Sequence, residues 1–474
     1  MDNATLMDFI SKNKSMLIAP AGYGKTYTIA QCLQFATGRS LVLTHTNAGI
    51  SALKEKFKNQ GIDTAAYHIE TISSYAQKFA LSHIKKAKIP SQENSGQYYP
   101  FLIKRATDII EKKVIGDIIS LSYTHLFVDE YQDCTLSQHK LILTLSKYLK
   151  THILGDPLQG IFNFSAQDPI VNMLDAELMG HFFENKYELK KPWRWINSGC
   201  ENLGFDLASI RTQINNIRNP YALRNFKSIQ LFSYNDGEVG KMNLFINTIL
   251  NNEQNVLFIH PQSNSTAPRV DYVRKLNNRV LMLESLDDKI FYALARSADS
   301  ITPIILLTGI VPICNELYGV TKTSMWIKAD RLVNKRGDDI SKGEKLKTLY
   351  NECVSCFNLS NVANIIEFFK DEIGFSIARK DLAHSLLRAM RNAHMNSTSV
   401  YEEMCNIRNR MRSSGRKVSR HCIGTTLLTK GLECDCVVLL DAEKFWDSRF
   451  CSTKNHLYVA LTRGSKKVIV IYHQ

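Results

Sequence analysis

The sequence predicts an α/β protein: two units of parallel strands flanked by helices, the second carrying a reduced helical insertion. Three observations predict it. The N-terminal third alternates short apolar runs with helix-like stretches, the rhythm of strand–helix–strand units in a parallel sheet. Apolar strands begin again at Asn255–Ile259 and resume near the end with Cys436–Leu440 and Lys467–Tyr472. Between them, residues 265–420 read as largely helical and irregular. In chain order, the candidate strands of the first unit are Ser15–Ala19, Ser40–Thr44, Leu126–Val128 and Thr151–Leu154. Residues from roughly 200 to 250 read as mostly helical. The expected boundaries are 1–190 for the first unit and 191–474 for the second, with the insertion at about 265–420.

Composition narrows the function classes. A chain of 474 residues with 44% hydrophobic content is that of a globular protein of two to four domains. A formal net charge of +14 favours a polyanionic partner. The longest apolar run, Ile301–Ile313, is broken by Pro303 and falls short of the ~20 residues a membrane span needs. The opening MDNATLMDF has no basic region before an apolar core, so a cytoplasmic chain without a membrane segment is expected. Eleven scattered cysteines fit reduced thiols, and the lone CxxC at Cys353 and Cys356 supplies half of the ligands of a structural zinc.

The strongest motif is APAGYGKT, Ala19–Thr26, between an apolar strand and the helix-like run Tyr27–Phe35. Gly22 and Gly24 let the backbone fold so that the loop's amides point at phosphates, Ala21 is a further nucleotide-binding position of the loop, Lys25 reaches the terminal phosphates, and Thr26 can hold magnesium. The stretch HLFVDEYQDC then crowds Asp129, Glu130 and Asp133 at a strand end. Alone it reads equally well as a solvated acidic turn. With a P-loop earlier in the chain, Asp129 is expected to bind the magnesium on the phosphates and Glu130 to act as general base on the attacking water. LGDPLQGIF follows, another strand end, with Asp156 and Gln159 placed to contact a γ-phosphate or that water.

APAGYGKT, VDEYQD and GDPLQGIF, in that order, resemble the P-loop, DExQD and GDxxQ motifs of the UvrD/Rep/PcrA-like superfamily 1 helicases. LKKPWRW, TTLLTKGLECDCVVLLD and NHLYVALTRG resemble the later motifs of the same family. The resemblance implies two RecA-like P-loop domains with ATP and Mg2+ between them. It makes Arg194 and Arg463 the positive groups on the γ-phosphate, Trp193 the aromatic that stacks on adenine, and Glu433 the group that hydrogen-bonds the ribose. It also implies a DNA track through Thr44, His45, Asn47, Thr71, Phe164 and Thr425.

The chain departs from the pattern in several places. Ala19 stands where glycine is usual, no glutamine precedes the P-loop, His45 replaces phenylalanine, Ile72 and Ser73 replace Phe and His, and Leu427 replaces histidine. The two insertion segments are short for the family. The basic run RNRMRSSGRKVSR, Arg408–Arg420, is a candidate contact for DNA or for a partner protein. The function so implied is an ATP-dependent, DNA-stimulated motor moving 3′ to 5′ on single strands, extending to duplex separation. The alternative is a helicase-like regulatory ATPase that senses DNA ends and gates a partner nuclease, as in an antiphage system of the Gabija type.

Overall fold

The computed structural model describes residues 1–82, 89–90, 94–163, 166–261, 265–277, 279–283, 289–328, 330–375, 377, 380–414, 420–451 and 453–474, with the backbone alone at 47, 48, 95, 289 and 409–414. Residues group into two compact units, Met1–Leu283 with Ser414–Gln474, and Glu284–Ser413.

The first unit holds two parallel six-stranded sheets. One is built from β1 (Lys14–Ile18), β2 (Ser40–Thr44), β3 (Tyr67–Thr71), β4 (His125–Val128), β5 (Lys150–Gly155) and β6 (Lys186–Glu188), in the order β3-β2-β4-β5-β1-β6. Its central strands are near-continuous buried runs, as parallel strands covered by helices on both faces must be: every residue of Ser40–Thr44 and of His125–Val128 is buried. The other sheet comprises β7 (Ile229–Tyr234), β8 (Val256–Ile259) and β9 (Leu281–Met282). After an antiparallel pair in the helical unit, β10 (Ile327–Lys328) and β11 (Arg331–Leu332), it continues with β12 (His421–Gly424), β13 (Cys434–Leu439) and β14 (Gly464–His473). The order of this second sheet is β7-β14-β13-β8-β12-β9. One apolar cluster joins residues behind both sheets, among them Leu17, Trp195, Leu207, Ile210, Tyr458 and Leu461. The motif-bearing loops leave the carboxyl ends of strands β1, β2, β4, β5, β12 and β13, the end at which open α/β sheets bind ligands.

Three segments differ from the reading of the sequence. Residues 200–250 hold the strand β7 between the helices Glu201–Gln213 and Val239–Asn252. β7 lies at the sheet edge and is only partly buried, so it lacks the apolar run that marks a central strand. β3, sequence YHIET, is also an edge strand and is half polar. Residues 267–283 supply the helix Ala267–Lys275 and β9 to the second sheet, so the helical unit begins at Glu284 and is narrower than 265–420.

The Glu284–Ser413 unit has its own core, formed chiefly by the helices Leu306–Tyr318, Leu359–Asp371 and Lys380–Asn396. Arg408 is buried there, its guanidinium 5.3 Å from the ring centre of Tyr292. That burial removes Arg408 from any nucleic-acid surface. The side chains of Arg410 and Arg412, and residues Arg416 and Lys417, lie outside the described residues. Among the described residues no helix is long and apolar enough to cross a membrane.

Candidate nucleotide site

β1 ends at Ile18, and the chain turns through Ala19–Gly24 into the helix Lys25–Phe35. Gly22 (φ 73°) and Gly24 (φ 95°) take left-handed conformations that favour glycine. At Gly22 a Cβ atom would also come within 2.7 Å of the Trp195 ring, so the loop there admits no side chain. The loop presents backbone amides and the positive end of a helix to one spot, which is the geometry of a phosphate cradle. Lys25 heads that helix, and Thr26 follows it in the first turn, partly buried.

β4 delivers the carboxylates. Asp129 N donates to Leu43 O (2.8 Å), tying the strand end to β2. Glu130 takes φ 57°, a left-handed conformation that costs a non-glycine residue about 1–2 kcal/mol. Lys25 Nζ lies 2.7 Å from Glu130 Oε1 and 3.6 Å from Asp129 Oδ1. Burial pushes the Asp129 carboxyl up, with Glu130 adding to the rise and Lys25 opposing it. Burial would push Glu130 up as well, but the charges of Lys25 and Lys430 outweigh it and hold the group below its ordinary value. The Lys25 ammonium, which burial alone would lower, is held above its ordinary value by Glu130 and Asp129. Two adjacent carboxylates thus have different proton affinities, as separate jobs require.

Magnesium fits this corner. Asp129 Oδ1 is buried and accepts no hydrogen bond within the described residues, leaving an oxygen for a cation. No group of three or more His, Cys, Asp and Glu converges among the described residues, so most of the ligand shell must come from phosphate oxygens and water, the usual arrangement for this ion. Thr26 and Asp129 are the residues that would hold it.

The second sheet closes on the same site. Arg463, just beyond the helix Asn455–Leu461, is buried and donates from Nη2 to Gln159 Oε1 (3.1 Å) and from Nε to Val459 O (2.9 Å). Lys430, in the KGLE loop, pairs with the buried Asp133 and donates to Gln159 O. Arg194 donates to Thr462 O (2.6 Å) and pairs with Glu433, while its own N–H bonds Gly22 O (2.9 Å). Trp193 is 44% exposed and lies 3.6 Å from where a Cβ on Gly24 would sit. Tyr27, 40% exposed, borders the same glycine.

The charges pair off unevenly. Lys25 faces Asp129 and Glu130, Lys430 faces Asp133, Arg211 faces Asp156, and Arg194 faces Glu433. The hydrogen bonds that Arg463 donates among the described residues all go to uncharged acceptors. Burial, reinforced by Arg194, lowers its guanidinium to about 10. A buried cation facing neutral groups beside a phosphate cradle is stabilised by an arriving anion.

The proposed track residues sit at the carboxyl ends of their sheets. Thr44 and Thr71 are register partners at the ends of β2 and β3. Thr44 Oγ1 is buried without a hydrogen-bond partner among the described residues. Thr71 Oγ1 accepts from Ser74 N (3.0 Å), and Thr425 Oγ1 from Leu428 N (3.4 Å), each capping a helix start. His45 turns inward, its Nε2 3.4 Å from Cys134 Sγ. Burial, then Lys430, lowers its imidazole to about 3, so it is neutral and brings no charge to a phosphate. The Asn47 side chain and Phe164 lie outside the described residues.

The structure therefore brings Lys25, Asp129, Glu130, Gln159 and Arg463 together, with Arg194, Glu433 and Trp193 beside them. Sequence reasoning passed over Lys430, Arg211 and Tyr27. Lys430 lies within the KGLE motif and could have been found there, whereas Arg211 belongs to no motif.

Residues 3–165 match the family model of an AAA domain, and residues 423–471 match that of the UvrD-like helicase C-terminal domain. The chain is 26% identical over 238 residues to the RecBCD enzyme subunit RecB of Buchnera aphidicola subsp. Acyrthosiphon pisum, covering 48% of this chain and 18% of that protein. It is 30% identical over 100 residues to the RecB of Buchnera aphidicola subsp. Schizaphis graminum, covering 21% of this chain and 8% of the relative. It is 30% identical over 154 residues to the Gabija protein GajB of Bacillus cereus, covering 30% of this chain and 29% of the relative. The chain thus spans less than a third of the length of each of these relatives.

Proposed function

We propose that this chain, which belongs to the UvrD-like superfamily 1 helicase family, hydrolyses ATP with Mg2+ and couples each turnover to 3′-to-5′ movement along single-stranded DNA. One observation carries the hydrolytic reading: Arg463 from the second sheet meets Gln159 of the first, 3.1 Å apart, within the charge network of Lys25 and Glu130.

In this reading Lys25 transfers from Glu130 to the terminal phosphates, compensating their charge and freeing the carboxylate. Glu130 then takes the proton of the attacking water, with Gln159 orienting that water. Arg463 and Arg194 stabilise charge building on the γ-phosphoryl oxygens, which suits a planar guanidinium that stays protonated. Bound Mg2+, held by Thr26 and Asp129, supplies charge neutralisation on the phosphate oxygens. Trp193 stacks on the base, and Glu433 exchanges Arg194 for the ribose. Because these groups come from both sheets, closing of the two sheets on ATP and their release after hydrolysis would ratchet the strand past Thr44, Thr71 and Thr425. The basic net charge of +14 supports a nucleic-acid partner.

A second reading is favoured by the similarity to the Gabija protein GajB: a regulatory ATPase that senses DNA ends and gates a partner nuclease in the cytoplasm. ATP turnover with and without single-stranded DNA, followed by strand displacement on the same preparation, separates the two. DNA-stimulated turnover with displacement supports the motor. Turnover that responds to DNA ends without displacement supports the gate, and no turnover in any condition refutes both.

A further inference from the structure

Asp156, at the start of the GDPLQ loop, is fully buried, and both of its oxygens are engaged. Oδ2 accepts from the P-loop amide Ala21 N (3.1 Å) and from Gln159 Nε2 (3.0 Å). Oδ1 accepts from Leu158 N (3.2 Å) and from the guanidinium of Arg211. Arg211 comes from the helix Glu201–Gln213, on the far side of the Trp193–Arg194 segment in sequence. Its Nη1 also lies 3.5 Å from Tyr458 Oη, in the helix that leads to Arg463.

We propose that Arg211 is a positioning residue for nucleotide turnover: it anchors the Asp156 carboxylate and thereby fixes the sense of the Gln159 amide that faces Arg463. The proposal rests on the hydrolytic reading above. A side-chain amide offers a donor at one end and an acceptor at the other, and its sense is set by its partners. Here Arg463 can only donate, so Gln159 must turn its oxygen toward it. That leaves the amide nitrogen, which needs an acceptor, and Asp156 supplies one. Donation therefore runs from Arg463 through Gln159 to Asp156, and Arg211 donates to the same carboxylate from the other side. A buried carboxylate is tolerated when a cation and hydrogen-bond donors compensate it. Arg211 is the cation paired with Asp156, while Lys25, Tyr23 and Tyr458 are the other titratable groups that face it. The same carboxylate holds Ala21, so the P-loop and the Gln159 loop share one anchor carried by a helix outside both.

The test is steady-state ATP turnover by the full chain carrying Arg211→Gln or Arg211→Lys, with affinity for a non-hydrolysable ATP analogue and thermal unfolding measured on the same samples. Arg211→Gln should lower kcat by about 10- to 100-fold, because small misplacement of a reacting group is that costly, while analogue affinity stays within about threefold. Arg211→Lys keeps a cation for Asp156 and should recover most of that loss. Turnover by Arg211→Gln within about twofold of wild type, or a loss matched by analogue affinity or by the folded fraction, would overturn the assignment. So would a lysine variant no better than the glutamine one. Absence of turnover in the wild-type chain would instead remove the hydrolytic reading, and this assignment with it.

Discussion

Lys25 Nζ and Glu130 Oε1 lie 2.7 Å apart, so the cation suited to a phosphate and the carboxylate suited to a water hold one another. Substitutions on the two sides should therefore fail differently. Lys25→Ala removes phosphate charge compensation and should abolish turnover together with nucleotide affinity. Glu130→Gln removes the base but keeps the shape, so turnover should fall while affinity persists or rises, since Lys25 loses the nearer of its two carboxylates and keeps only Asp129. Near-normal turnover in Glu130→Gln would refute the general-base role.

Arg463 is the buried cation whose hydrogen bonds among the described residues all go to neutral groups. Arg463→Ala should reduce kcat on the order of 10³-fold, the scale of an arginine finger, with a smaller effect on KM. Arg463→Lys should restore little, because a point ammonium cannot keep both Val459 O and Gln159 in a planar fork. Rapid-quench measurement of a single turnover isolates the chemical step, and an unchanged rate there would exclude Arg463 from it.

Much of this site was legible in the sequence because its chemistry is local. A phosphate cradle needs Gly22, Gly24 and Lys25 in one turn, and once that cradle is read, Asp129 and Glu130 at a later strand tip gain a cation to face. The central strands were legible for the same reason, since Leu126–Val128 and Cys436–Leu439 are buried on both faces and must be apolar. Edge strands escape such reading: β3 carries His68 and Glu70, which pair with each other, and Glu70 also pairs with Lys78. Arg211 escapes it because an arginine on an amphipathic helix looks like a solvated one until the fold places Asp156 against it. His45 carries the opposite lesson, a motif position turned inward by the burial around Cys134.

His125 predicts a measurable pH dependence of stability. It is buried in β4, its ring 5.6 Å from that of His152 and 6.2 Å from that of Phe127. Burial, then Lys150, lowers its imidazole to about 4. The unfolded chain binds that proton near pH 6.5, so between about pH 4 and 6.5 the unfolded state carries more protons and stability falls as pH falls. The contribution should reach about 3 kcal/mol across that window. Asp133, pushed up to about 6 by burial, acts in the opposite sense, so the readout is a difference between proteins. Denaturant unfolding from about pH 4.5 to 7 should give a shallower rise with pH for His125→Gln than for the wild type. Parallel curves would show that His125 does not titrate on unfolding.

Thr44 separates a structural from a functional role at one atom. Its hydroxyl is buried at the end of β2 without a hydrogen-bond partner among the described residues, an arrangement that costs about 1–3 kcal/mol. Valine has nearly the same shape and no polar atom, so Thr44→Val should leave stability unchanged or raise it. If that hydroxyl is kept to bond a DNA phosphate, the same substitution should weaken single-stranded DNA binding and DNA stimulation of turnover, leaving DNA-independent turnover intact. A neutral hydroxyl displaces no condensed counterion, so affinity should drop by a constant factor while its dependence on salt stays the same. Removal of a phosphate-bound lysine would flatten that dependence by about 0.7 per contact on single strands. Fluorescence anisotropy of a labelled oligonucleotide at several salt concentrations, alongside thermal unfolding, measures both quantities. A variant that is more stable and binds DNA as the wild type does would take Thr44 off the track, and its register partner Thr71 would then be the residue of that pair left to test.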